Sequence, residues 1–279
     1  MQQTPILKIP TLTWPALAVA LVVSAVHPLQ ANPSPDSVDL AAFPAQSIDE
    51  VIVPVPSEVF AVLDKLGSPN WRAEIRESLG QQSGNRAQVA LLLGTVIAEG
   101  FVAVEAEDPE KVKEIGRRVL TLSKAINVEK AVLERSKSIT EKAEVKEWDA
   151  VRREFDGALQ DVKGAMQELG DEDLAQLVSV GGWIRGTSVL TSIIRKNYTP
   201  DAAELLNQPA LLDFFSKKLD TLSNKRLAAD TQVVRVRKLL ASLRPLIEAP
   251  EGYAVPLENV QRIHKLTNDL VNQISTREA

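Results

Sequence analysis

AQVALLLGTVIAEGFVAVEA, residues 87–106, is apolar around the whole helical wheel until its acidic tail, and between Arg86 and Glu105 it carries one charge, Glu99. A helix with no polar face has nothing to turn toward water, so its stable place is inside a fold. We read it as a core helix that other helices wrap. A second stretch has the same character: LAQLVSVGGWIRGTSVLTSII, residues 174–194, with Arg185 as its one charge. The chain around these two stretches is charged and amphipathic. The fold class follows: all-α, a multi-helix bundle with two central apolar helices and a charged antiparallel helical hairpin. Aromatic residues are scarce, at 4%, while Ala, Leu and Val abound; that balance favours helices over a sandwich or barrel.

The punctuation outside the two stretches is helical. Ser57 caps a short helix ending at Gly67. Ser68-Pro69 opens a helix to Leu79, stopped at Gly80. Asp108-Pro109 repeats that signal. Val112, Ile115, Val119, Leu122 and Ile126 then recur at heptad spacing, and Asn127 breaks the run. Ser138 and Glu141 read as a capping box. Beyond it Phe155, Leu159, Val162, Met166 and Leu169 form a second seam that Gly170 stops. Two seams with a turn between them make an antiparallel hairpin or coiled-coil arm over residues 109–169, or two helices packed onto the common core. Short helices are expected after Thr199 and Pro209. A long amphipathic helix is expected over 225–248, bent at Pro245, and a last one over 257–275. No strand alternation stands out, and VIVPVP, residues 51–56, reads as an extended segment rather than a strand in a sheet. A faint echo links Ala87-Gln88-Val89 and Gly94 with Ala175-Gln176-Leu177 and Gly182, at the same internal spacing.

The N-terminus reads as a secretory signal over residues 1–31. Lys8 supplies the positive charge, WPALAVALVVSAV (residues 14–26) the apolar run, and Ala31 a small residue before a cut. That run is short for a membrane span of about 20 residues. Residues 32–56 carry Pro33, Pro35, Pro44, Pro54 and Pro56, a linker or extended strap. Residues 57–279 form the helical domain. There is no cysteine, which excludes disulfides, thiolate chemistry and acylation at the cleavage site. The expected address is periplasmic or secreted, with the mature chain no integral membrane protein.

Within the core, a lone buried charge costs several kcal/mol, so Glu99 and Arg185 each need a partner. The two helices are expected to lie side by side with these residues in contact, as an ion pair that sets helix register or as the polar floor of an apolar cavity; the remaining alternative is that one or both point into solvent. Gly94, Gly100, Gly181, Gly182 and Gly186 lie on the same helices. Glycine costs about 1 kcal/mol in a helix interior, so five of them mark close helix approach or room for a ligand. Trp183 stands beside them, and it reads as core packing, as do Trp71 and Trp148.

Catalytic templates are missing. With the leader removed, His264 is the one histidine, too few for a histidine metal site. There is no Gly-x-Ser-x-Gly elbow, Ser-x-x-Lys pair, P-loop or dinucleotide glycine fingerprint. The expected protein is therefore not an enzyme and has no metal or cofactor. Lys217, Lys218, Lys225, Arg226, Arg235, Arg237, Lys238 and Arg244 outnumber the acids between them, while residues 141–173 lean acidic. The basic helices are a solvated face, a dock for the acidic arm, or the contact for an anionic surface or another envelope protein. The net charge of -5 and the export signal argue against nucleic acid. The leading expectation is a non-catalytic envelope protein that binds or scaffolds another macromolecule through amphipathic helix faces. The competing one is a small-molecule or lipid carrier with an apolar cavity between the glycine-bearing helices.

Overall fold

The element order is β1 (Gln46–Ile48), β2 (Val51–Val53), a 3₁₀ turn (Trp71–Glu74), and then α1 (Arg86–Glu105), α2 (Pro109–Ala125), α3 (Glu129–Glu144), α4 (Trp148–Glu168), α5 (Glu172–Lys196), α6 (Pro200–Glu204), α7 (Pro209–Asp220), α8 (Lys225–Ala228), α9 (Thr231–Ile247) and α10 (Leu257–Ser275). The computed structural model describes residues 67–250 and 253–276, together with the backbone of 46–48 and 51–53. The signal sequence expected over 1–31, the short helix expected after Ser57 and most of the proline-rich strap lie outside the described residues. The molecule is an all-α multi-helix bundle.

Asn85 starts α1, its side chain accepting from the N–H groups of Ala87 (2.8 Å) and Gln88 (3.2 Å). From Ala87 to Val104 every residue of α1 is buried. Its most extensive neighbour is α5, and it also packs against α2, α4 and α10. Helix α5 lies between α1 and α10 and touches α4 and α7 as well. Both helices are long and apolar enough to cross a membrane, yet here they are wrapped by protein, α1 wholly and α5 over most of its length. This is how a sequence without a polar face is accommodated: the apolar surface is removed from water by other helices.

The charged region doubles back as expected but holds three helices instead of two. Ser138 and Glu141 are no cap; they lie within α3, where the Ser138 hydroxyl donates to Glu154 at 2.8 Å. The real break is at Lys146. The same corner recurs at four successive junctions. Glu107, Asn127, Lys146 and Gly170 adopt φ of 49°, 65°, 60° and 70°. The next residue's N–H bonds back five positions, as in Asp108 to Ala103 (3.0 Å), Val128 to Ser123 (2.9 Å), Glu147 to Lys142 (3.0 Å) and Asp171 to Met166 (2.8 Å). These left-handed caps satisfy the last helical carbonyls and turn the chain. Only Gly170 and Asn127 advertise such a turn in sequence; Lys146 is a good helix former, so its local preference pointed the wrong way.

Three other expectations change. Residues 46–48 and 51–53 pair as a short antiparallel hairpin, with Gln46 opposite Val53 and Ile48 opposite Val51, so residues 51–53 are a strand after all, lying beside α7. The helix expected over 225–248 is split: Asp230 caps α9, accepting from the Gln232 N–H (2.8 Å), while Pro245 is held inside the last turn of α9. The helix expected from Pro69 to Leu79 is reduced to the 3₁₀ turn, for a reason that lies in the site.

Candidate functional site

Glu99 of α1 and Arg185 of α5 meet as expected. The Arg185 Nε–H donates to Glu99 Oε2 at 2.7 Å, with the Glu99 residue 2% and the Arg185 residue 4% exposed. The pair is completed by the segment that follows the 3₁₀ turn. Glu99 Oε1 accepts from the backbone N–H of Arg76 at 2.6 Å, and Arg185 Nη2 donates to the backbone carbonyl of Glu74 at 2.6 Å. In a continuous helix the Arg76 N–H would bond to Arg72 and the Glu74 carbonyl would accept from Ser78. Both groups are instead turned onto the buried charges. The unwinding of residues 75–80 is thus a tertiary effect: a desolvated carboxylate and guanidinium claim backbone groups that a helix would have used internally.

Around this centre the charges alternate. The Glu74 carboxylate, itself buried, pairs with Lys196 at the end of α5. Arg76 donates to Asn272 of α10 at 3.3 Å. Burial pulls the Arg76 guanidinium below its ordinary value, and the neighbouring Arg185 charge acts in the same direction. His264 of α10 is half-buried with Nδ1 3.1 Å from the Ser188 carbonyl, which assigns the proton to that nitrogen. Burial lowers its pKa against the opposing pull of the Ser188 hydrogen bond. His264 therefore ties α10 to α5 in its neutral form.

The glycines divide by role. A methyl on Gly94 would overlap the Val178 carbonyl, and one on Gly181 would overlap the Leu91 carbonyl. Gly182 faces the Gly94 carbonyl at van der Waals distance, 3.4 Å from a would-be Cβ. The two glycines of the sequence echo, Gly94 and Gly182, therefore meet at the crossing of α1 and α5. Gly100 makes room for the Phe155 ring, which also stacks obliquely on Phe101 at 5.8 Å between centroids. Gly186 has open space beside it. Trp183 is half-buried against Phe215 of α7, with centroids 5.6 Å apart. Trp71 is buried and Trp148 packs partly against the core.

Sequence reasoning did not find Gln88. It is fully buried in the first turn of α1, donates to the carbonyls of Gln81 (3.0 Å) and Ile274 (2.6 Å), and accepts from Ser83. It fastens the unwound segment and the end of α10 to α1. The one available signal was a lone amide at the head of an otherwise apolar helix.

Chemically, the centre is closed. Each Glu99 oxygen is taken by a donor, and Arg185 is spread over a side chain and a carbonyl. Among the described residues no group of three or more acidic or histidine side chains is placed to hold a metal ion. The arrangement holds three parts of the chain in one register. No protein family, characterised protein or solved structure matches this chain.

Proposed function

We propose that this chain is a non-catalytic helical protein of the cell envelope that engages another macromolecule through its basic C-terminal helices, with an acidic protein or anionic surface as the partner. The observation that carries this reading is how unevenly the surface charges are spent. In the arm, Arg135 pairs with Asp161 (2.7 Å) and Glu154 (3.0 Å), Lys113 with Glu110 (3.1 Å) and Glu144 (3.2 Å), and Arg152 with Glu105 (2.7 Å) and Asp149 (2.6 Å). Over residues 209–248 each acid is engaged: Asp213 and Glu248 by Arg244, Asp220 by Arg237, and Asp230 by Asn85. Arg237 also bonds to the carbonyls of Leu219 and Ala228, drawing the ends of α7 and α8 onto α9. Lys217, Lys225, Arg226 and Lys238 stand exposed around that junction, and no ion pair engages them among the described residues. Like charges gathered at one corner steer an oppositely charged partner toward it.

The carrier reading needs room beside Gly94 and Gly182. Backbone fills the space next to Gly94, so nothing in the interior favours it. The test is a pull-down from an envelope extract with the full chain, wild type against the variant Lys217→Glu/Lys225→Glu/Arg226→Glu/Lys238→Glu. A macromolecule held by the wild type at low salt should be lost in the variant. Equal capture by both chains, or none by either, would sink the proposal.

A further inference from the structure

A groove of about 520 Å³ runs between the unwound segment at residues 77–80 and helix α2. Ser78 and Gly80 line one wall, and Glu114, Arg117, Arg118 and Thr121 the other. Arg118 donates to the Gly80 carbonyl at 2.8 Å, while its Nε–H is buried without an acceptor. Neither Arg117 nor Arg118 pairs with a carboxylate among the described residues. Of the acids at the groove, Glu114 is already held by Lys111 at 3.0 Å, and Glu77 engages Lys111 through its backbone carbonyl. With Glu114 neutralised by Lys111 from outside the lining, Arg117 and Arg118 stand against the Glu77 carboxylate alone, a positive excess of one.

Most of the other half-buried arginines are matched to carboxylates, Arg76 being the exception with Asn272 as its side-chain acceptor. Arg152 and Arg135 each engage two carboxylates, and Arg185 has Glu99. A partly desolvated guanidinium without a counter-charge is costly. Its planar fork fits the oxygens of a carboxylate or phosphate, and a second cation one residue away favours a dianion. The volume lies within the range of small-molecule sites, about 300–1,000 Å³. From these observations we propose that the groove between residues 77–80 and α2 is a binding site for a phosphate dianion, free or as a small monoester, with Arg118 and Arg117 as its ligands and the Ser78 hydroxyl as a further donor. This site is separate from the basic corner formed by α7, α8 and α9, and it stands or falls independently of it.

The test uses the full chain with two probes, inorganic phosphate and glycerol 3-phosphate, against sodium chloride of equal ionic strength. Calorimetric titration should show saturable binding, and the Arg118 Nε–H resonance should shift with the same midpoint. Tighter binding of the ester identifies a monoester site, and equal binding a free phosphate site. Arg117→Ala, at an exposed position with no side-chain bond to lose, should weaken binding at least tenfold with the fold intact. Arg118→Lys, which keeps the charge and loses the fork, should weaken it as well. Arg226→Ala, at the basic corner, should leave it unchanged. Absence of saturable binding to the wild type, or equal weakening by Arg226→Ala, overturns the proposal.

Discussion

The crossing of α1 and α5 and the arm built from α2, α3 and α4 handle charge in opposite ways. The crossing holds Glu99 and Arg185 out of water through three hydrogen bonds: one side-chain contact and two backbone groups from the segment at residues 74–76. The arm holds its charges at the surface in pairs between adjacent turns and neighbouring helices. Ion pairs in water contribute about 0–1 kcal/mol each. A buried pair contributes little beyond a hydrophobic replacement but becomes expensive once one member is removed. The lesson is that the single pair in the core constrains the architecture more than all the pairs in the arm, because its failure cannot be relieved by solvent.

That contrast is breakable by mutation. Glu99→Ala leaves Arg185 charged and buried and frees the Arg76 N–H, and it is expected to cost about 3–5 kcal/mol in chemical denaturation. The double variant Glu99→Leu/Arg185→Met should recover part of this and not all of it. The Arg76 N–H and the Glu74 carbonyl would remain without partners, at about 1–3 kcal/mol for each that stays buried. Hydrogen exchange at the Arg76 amide should accelerate in both variants. A double variant as stable as the wild type would show that the unwound segment does not depend on the pair.

The glycines make the second test. Gly94→Ala drives a methyl into the Val178 carbonyl and should destabilise by about 1–3 kcal/mol, read as a lower midpoint in urea. Gly164, within α4, has nothing near its would-be Cβ, so Gly164→Ala should stabilise by about 1 kcal/mol through helix propensity alone. If both substitutions move stability the same way, close approach at the crossing is not what Gly94 provides. The smallest expected effect lies in the arm. Arg135→Ala removes contacts with Asp161 and Glu154 but should cost only about 0.5–1 kcal/mol, and less in high salt. A loss comparable to that of Glu99→Ala would erase the distinction between the two regions.

The sequence was legible where one residue type dominates a whole segment. Two stretches with a single charge each are expected in the core, and two opposite lone charges in such stretches are expected to meet, as they do. The seams of α2 and α4 followed from their spacing, except that Leu169 lies past the end of α4 and is exposed; the caps at Asp108 and Thr199 were also legible, their side chains accepting from Lys111 and Ala202. It was illegible where local preference and tertiary demand disagree. Residues 69–79 carry good helix signals, and Lys146 carries no turn signal. One was unwound by a buried ion pair, and the other was forced left-handed by the packing of α3 against α4.

Composition and periodicity by themselves determined the all-α class, the identity of the two interior helices and the need for Glu99 and Arg185 to find each other, because burial energy depends on which faces are apolar and that is written in residue order. Only the tertiary structure decided that the glycines serve helix contact at the crossing, that a third segment closes the ion pair, and that Arg117 and Arg118 are left facing a groove. Those outcomes depend on which backbone groups and charges arrive at the same point from distant parts of the chain, and no local pattern encodes that meeting.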